Sequence, residues 1–350
     1  MQARQPRAEV SLVAGEVVEV LTDPVGGRGR DRIPLVRRCG GRSGGGRVEE
    51  VGHVTGGSDQ LGDRTVHRIG FGTMRLPQHG EAFAPDAVPR DRDQAIKVLR
   101  RAVDLGVNHI DTAAFYFSPL RCANELINRA LAPYPDDLVI ATKVGPGRDP
   151  SGDWLPHATP EQLRGQVEEN LRRLGRDHLD VVNLRIVGTD SVADRFGALA
   201  ELRDAGLIRH LGLSNVRPHH LAEAQAIAPV VCVQNMYGIG ASREQEELLR
   251  LCGEQDIAFV PFYSIAGTGR TAGASGVDSS KVHTIARAHG VSTAQVRLAW
   301  TLHRGPHVLA IPGTGDLDHL AQNVAAGSLR LSGDELAVLD SHSLDAETTA

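Results

Sequence analysis

From His67 onward, short apolar runs alternate with stretches whose apolar residues recur at i, i+3, i+4 and i+7. The spacing predicts strands where the run is continuous and helices where the stripe repeats. Ile69 to Met74 reads as the first strand, and Asp91 to Leu105 follows as an amphipathic helix with Ala95, Val98, Leu99, Ala102 and Val103 on one face. Strand 109–113, helix 119–131 and strand 138–144 come next. Thr159-Pro160-Glu161-Gln162 places a capping residue, a proline at the first helical position and an acid in the first turn of a helix that stops at Gly175. Further strands are predicted at 179–185, 208–214, 230–236, 257–263 and 307–311. Helices are expected at 191–205, 218–228, 243–255, 279–289, 293–304, 316–326 and 332–341, with a glycine-rich segment from Gly267 to Gly276 between.

Runs such as Val230-Val231-Cys232-Val233 are apolar throughout, as expected of strands covered on both faces. Eight βα units in about 280 residues fit a single-domain (β/α)8 TIM barrel within the α/β class. A doubly wound open sheet is the alternative, but it calls for a GxGxxG loop after its first strand, and Gly70-Phe71-Gly72 lacks the third glycine. The barrel is therefore assigned to residues 56–350.

Residues 1–55 break the pattern. Arg37-Arg38, Gly40-Gly41-Arg42 and Gly44-Gly45-Gly46-Arg47 sit among scattered apolar residues with no sustained period, the signature of a disordered extension. A start site assigned too far upstream is the other reading. Glu9, Glu16, Glu19, Asp23, Glu49 and Glu50 offset the arginines, and the whole chain carries a formal charge of only −5, which argues against a nucleic-acid partner. No run resembles a membrane span, and the apolar cluster from Val10 to Leu21 is broken by Glu16 and Glu19, unlike a secretory signal. Cys39, Cys122, Cys232 and Cys252 show no metal-type spacing and read as reduced thiols. A cytoplasmic protein, monomeric or weakly self-associating, acting on a small molecule and binding no metal, is the expectation.

In a barrel the C-terminal ends of the strands carry the chemistry. Here they present Asp111 with Tyr116, Lys143, and Arg185. A lysine ending an apolar strand calls for an ion pair, and Asp111 on the neighbouring strand supplies it. A purely structural pair is the plain alternative. A phenol with an ordinary pKa of about 10 is a poor acid. The ammonium of Lys143 is expected to lower the pKa of Tyr116 and make proton donation to a developing alkoxide feasible. The trio supplies a proton and no hydride, so a nicotinamide cofactor is implied.

Gly70-Phe71-Gly72-Thr73-Met74, Asp111-Thr112-Ala113 with Tyr116, Ala141-Thr142-Lys143, Gly212-Leu213-Ser214-Asn215, Val233-Gln234 and Ile311-Pro312-Gly313-Thr314 with Asn323 arrive in the order found in the aldo-keto reductase superfamily. The resemblance spans the chain from about residue 60 to the end. It implies that Asp111, Tyr116 and Lys143 are catalytic, with Tyr116 the general acid, and that NADPH or, less favoured, NADH lies across the strand ends near Gly72, Thr73 and Met74. Ser214, Asn215 and Gln234 would hold the carboxamide and Phe262 would stack on the nicotinamide. Gly313, Thr314, His319, Gln322 and Asn323 would surround the adenosine 2′-phosphate.

Two positions depart from the family pattern. The catalytic histidine expected to end strand four is Arg185, a permanently charged donor that suits a substrate with negative charge near its carbonyl. His319 stands where an arginine commonly meets the 2′-phosphate, and Arg270 is a candidate to compensate. Leu179-Asp180-Val181-Val182-Asn183-Leu184-Arg185, together with Asp153-Trp154-Leu155-Pro156, is similar to a microbial pyridoxal reductase subgroup. This resemblance implies reduction of the 4-aldehyde of pyridoxal, with Arg185 facing its ionised phenol and Trp154 either stacked on the pyridine ring or anchoring the rim. The rival readings are a broad aldehyde or ketone reductase and a cofactor-sensing regulatory subunit.

Overall fold

The structure, a computed structural model, describes residues 57–80, 83, 87–239, 243–265 and 279–341, together with the backbone of two segments nearer the N-terminus. The chain divides into two compact units, Met1–Glu49 and Glu50–Ala350. Within the first, Glu9–Val13 and Glu16–Val20 pair as an antiparallel hairpin. The rest of the extension expected to be disordered lies outside the described residues, as do the glycine-rich segment 267–276 and Arg270.

The second unit is a (β/α)8 barrel. Strands β1 (Phe71–Gly72), β2 (His109–Asp111), β3 (Val139–Val144), β4 (Leu179–Arg185), β5 (Ile208–Ser214), β6 (Val230–Gln234) and β7 (Ala258–Phe259) form one parallel sheet in sequence order. Parallel bridges from Phe259 to Val308 and from Ile69 to Ala310 close it through the eighth segment. The first, seventh and eighth strands are thus shorter than their apolar runs predict, because only one or two residues of each keep ladder geometry at the seam.

Helices α1 (Arg92–Asp104), α2 (Ala123–Leu131), α3 (Pro160–Leu174), α4 (Ala193–Asp204), α5 (Pro218–Gln225), α6 (Arg243–Glu254), α7 (Ser279–His289), α8 (Thr293–His303), α9 (Leu317–Ala325) and α10 (Gly333–Asp340) surround the sheet. Among the described residues no helix is long and apolar enough to cross a membrane. In α1 the Asp91 carboxylate accepts the Gln94 N–H at 2.7 Å, and the apolar stripe Ala95, Val98, Leu99 and Ala102 is buried. Before α3 the Gln162 side chain accepts the N–H of Thr159 at 3.0 Å, and the helix stops at Gly175. α2 starts later than its periodicity suggests, because residues 117–122 form a small hairpin, Phe117–Ser118 against Arg121–Cys122.

Side chains alternate across each strand, so two cores result. The outward set packs against the helices. The inward set, including Val139, Ala141, Val181, Cys232, Ala258, Val260 and Leu309, fills the barrel. Leu61 and Val66 join that inner cluster from a hairpin of Ser58–Leu61 and Arg64–His67, which plugs the barrel beneath the strand N-termini. Burial pushes the inward thiol of Cys232 up to about 12, so it is an inert space filler. With the lower end plugged, the upper rim is left for function.

Candidate active site

Asp111 ends β2 and points inward, as does Lys143 one strand away. Lys143 Nζ donates to both carboxylate oxygens of Asp111, at 2.6 and 2.7 Å, and to the carbonyl of Thr112 at 3.0 Å. Both side chains are almost wholly removed from water, 2% and 6% exposed. Burial works against the charge on Lys143, but Asp111 outweighs it and holds the pKa above its ordinary value. The lysine is therefore a fixed cation, three of whose bonds are already assigned. Gln234, from the far side of the rim, donates to Asp111 Oδ1 at 2.7 Å.

Tyr116 sits over this pair, with Lys143 Nζ 4.8 Å from its ring centroid. Lys143 acts on the phenol through its charge. The expected lowering of the Tyr116 pKa does not result. Burial is the largest influence and raises it, Lys143 pulls it down, Asp111 pushes it up again, and the balance lies above the ordinary phenol value. The phenol is thus fully protonated at neutral pH, the form a proton donor needs. Arg185, at the end of β4, donates to Ser214 Oγ at 3.1 Å and lies 5.1 Å from the centroid of Phe262. Its charge also reaches Tyr116 and favours the phenolate.

These groups line a cavity of about 350 Å³, within the range of small-molecule sites. Asp111, Tyr116, Lys143, Arg185, Trp154, Gly72, Met74, Gln234, Phe262 and Gly313 all face it. Phe83 and Phe115 complete an aromatic wall. Trp154 is 52% exposed and lies 5.2 Å from Phe83 and 5.7 Å from Phe115, ring to ring. Sequence reasoning passed over Phe83 and Arg75, which also line the cavity but lie in a loop with no periodicity to single them out.

The remaining candidates sit behind or beside the cavity. Thr73 is buried and its hydroxyl bonds the carbonyl of Asp111 at 3.0 Å, holding β1 against β2. Ser214 is buried beneath Arg185. The Asn215 amide donates to the carbonyl of Ile186 at 3.0 Å. Thr314 precedes α9 and His319, Gln322 and Asn323 lie along it, with Asp316 at its start accepting the N–H groups of Asp318 and His319 at 2.9 Å. His319 and Gln322 are exposed and Asn323 is buried. Arg90, which no local pattern in the sequence marks, packs its guanidinium against Gly315 there.

The site fits a nicotinamide. Gln234 Oε1 is buried on the cavity floor without a hydrogen-bond partner, an acceptor suited to the N–H of an amide. Gly72 and Gly313, which also line the cavity, approach so closely that a Cβ on Gly313 would lie 2.4 Å from the carbonyl oxygen of Gly72, so this stretch of the lining is bare of side chains. Phe262 offers a ring face nearby.

Comparison with known proteins agrees. Residues 68–344 match the model of the Aldo/keto reductase family. Over 287 residues the chain is 44% identical to pyridoxine 4-dehydrogenase of Escherichia coli, covering 80% of this chain and 96% of that protein. It is 37% identical to an uncharacterized oxidoreductase of Schizosaccharomyces pombe, covering 81% and 89%. Among solved structures, an aldo/keto reductase from Klebsiella pneumoniae in complex with NADP and acetate superposes with a TM-score of 0.66 at 30% identity, covering 79% of this chain and 91% of that one. On its closed barrel, its rim and these likenesses, the chain belongs to the aldo/keto reductase family.

Proposed function

We propose that the protein reduces the aldehyde of pyridoxal to the alcohol of pyridoxine with NADPH. The observation that carries this reading is the fully paired Asp111–Lys143 couple beneath a protonated phenol, with a second cation, Arg185, on the same cavity. Lys143 is neutralised by Asp111, so Arg185 leaves the pocket with surplus positive charge. Pyridoxal carries an ionised phenol ortho to its aldehyde, and a guanidinium beside the acid is placed to meet it. The aromatic wall offers the pyridine ring a stacking face at Trp154.

The NADP-complexed Klebsiella relative and the pyridoxine 4-dehydrogenase likeness support the choice of cofactor and substrate. The cofactor, when bound, supplies the hydride. Gln234 and Ser214 would hold its carboxamide end, and the α9 residues its phosphate end. Tyr116 gives its hydroxyl proton to the aldehyde oxygen as negative charge develops there. Lys143 steadies the phenolate left behind, and Asp111 keeps Lys143 charged and oriented. In the reverse direction the same phenolate takes the alcohol proton.

The test is turnover by the purified protein of a panel of aldehydes that includes pyridoxal, run with NADPH and NADH in parallel. The reading expects the highest kcat/KM for pyridoxal and a preference for NADPH. An uncharged aromatic aldehyde turned over better than pyridoxal would turn the assignment to a broad aldehyde reductase.

A further inference from the structure

Arg148 follows β3, touches none of the proposed reacting groups and does not line the cavity. Its guanidinium nevertheless joins the two loops that do. Nε donates to the carbonyl of Gly152 at 2.8 Å, and Nη1 to the carbonyl of Phe117 at 2.9 Å, with the Phe115 carbonyl 3.5 Å from the same nitrogen. Phe115 and Phe117 flank Tyr116. Gly152 lies two residues before Trp154. The guanidinium carbon lies 4.6, 5.2 and 5.8 Å from the ring centroids of Phe117, Phe83 and Trp154.

The loop is shaped to hold this side chain. Asp149 accepts the N–H groups of Gly152 and Asp153, both at 3.0 Å, so the turn is set independently of Arg148. Gly152 has φ +99°, and a Cβ there would lie 2.7 Å from Arg148 Nη2. Tyr116 is tied on its other side by its own carbonyl, which accepts the Ala123 N–H at 2.9 Å. The segment carrying the acid is therefore pinned between α2 and Arg148.

We propose that Arg148 is a positioning residue that fixes the loop bearing Tyr116 in register with the loop bearing Trp154. The proton donor and the aromatic wall are thereby set as one unit, and the substrate ring held by the wall presents its carbonyl to the phenol. This assignment goes beyond the pyridoxal reading, since it holds for any aromatic aldehyde.

Arg148→Met keeps the stem and removes the donors. Misplacement of about 1 Å at a reacting centre costs on the order of 10²-fold. The variant is expected to lose about ten- to a hundred-fold in kcat/KM for both pyridoxal and benzaldehyde, while its Kd for NADPH stays within about twofold. In protein labelled with 5-fluorotryptophan, the ¹⁹F line of Trp154, assigned by its loss in Trp154→Phe, should shift, and that of the buried Trp300 should stay. Gly152→Ala, which crowds the guanidinium from the opposite side, should reproduce the pattern, and Arg148→Lys should recover only a minor part of the rate. An unmoved Trp154 line, or kcat/KM within about twofold of the parent, would overturn the proposal. Both the ¹⁹F reading and the benzaldehyde rate stand even if pyridoxal is not turned over, so failure of the substrate assignment is distinguishable.

Discussion

Replacing Lys143 by methionine separates what the buried pair does for the fold from what it does for the chemistry. The substitution removes three hydrogen bonds of 2.6 to 3.0 Å and leaves the Asp111 carboxylate, 6% exposed, with only the Gln234 amide for compensation. Breaking a buried ion pair on one side costs about 3–5 kcal/mol, most of it the cost of the stranded charge. At a urea m-value of about 3 kcal/mol/M, that loss moves the unfolding midpoint down by roughly 1–2 M. The companion variant Asp111→Asn/Lys143→Met removes the stranded charge, and asparagine still accepts from Gln234. It should regain most of the lost stability. Turnover should not return, because nothing then steadies the Tyr116 phenolate, and loss of assisted proton transfer is worth on the order of 10²–10⁴-fold. Urea unfolding followed by circular dichroism, beside aldehyde-dependent oxidation of NADPH, reads both effects. A single variant as stable as the parent, or a double variant that restores turnover together with stability, would refute this account of the pair.

Arg185→Leu should lower kcat/KM for pyridoxal about ten- to a hundred-fold more than for benzaldehyde, the worth of one charge-assisted hydrogen bond of about 1.5–3 kcal/mol; equal losses would remove the phenolate pairing. Because the Tyr116 pKa is raised by burial, aldehyde reduction should stay level through neutral pH and fall only where the phenol ionises, above its ordinary value. Alcohol oxidation, which needs a proton acceptor, should rise over the same alkaline range, and a reduction rate falling between pH 6 and 8 would contradict the raised pKa. Burial lowers His109 from 6.5 to about 4, so the unfolded chain binds its proton first as pH falls. Stability should therefore drop between about pH 6.5 and 4, by up to about 3 kcal/mol from this residue. Urea unfolding at pH 7 and 4.5 should show a smaller drop in His109→Leu than in the parent.

Asp111, Lys143 and Arg185 were legible in the sequence because a parallel barrel brings every strand's C-terminal end to one rim, so they had only to be recognised as expensive residues ending apolar runs. Trp154 was legible as a loop aromatic near Lys143, but its partners Phe83 and Phe115 come from the loops after β1 and β2, and no pattern within one segment announces a contact between segments. The direction of the Tyr116 shift was misjudged from sequence because it depends on how far the phenol is buried, which adjacency to a lysine does not reveal. Gln234 was read through its resemblance as a cofactor ligand, yet the fold also gives it a bond to Asp111, since its strand lies across the barrel from β2. The barrel's seam was overestimated: apolar content predicts that a segment is buried, and the ladder at β1, β7 and residues 308–310 is shorter than the buried run.

The central claim is that the Tyr116 hydroxyl delivers the proton while the rest of the site binds. Tyr116→Phe keeps the ring against Phe115, 5.1 Å between centroids, and removes only the hydroxyl. Measured with pyridoxal and NADPH, the variant should bind the cofactor with parent affinity and lose turnover by at least about 10²-fold. Turnover close to the parent's in that variant would contradict the account.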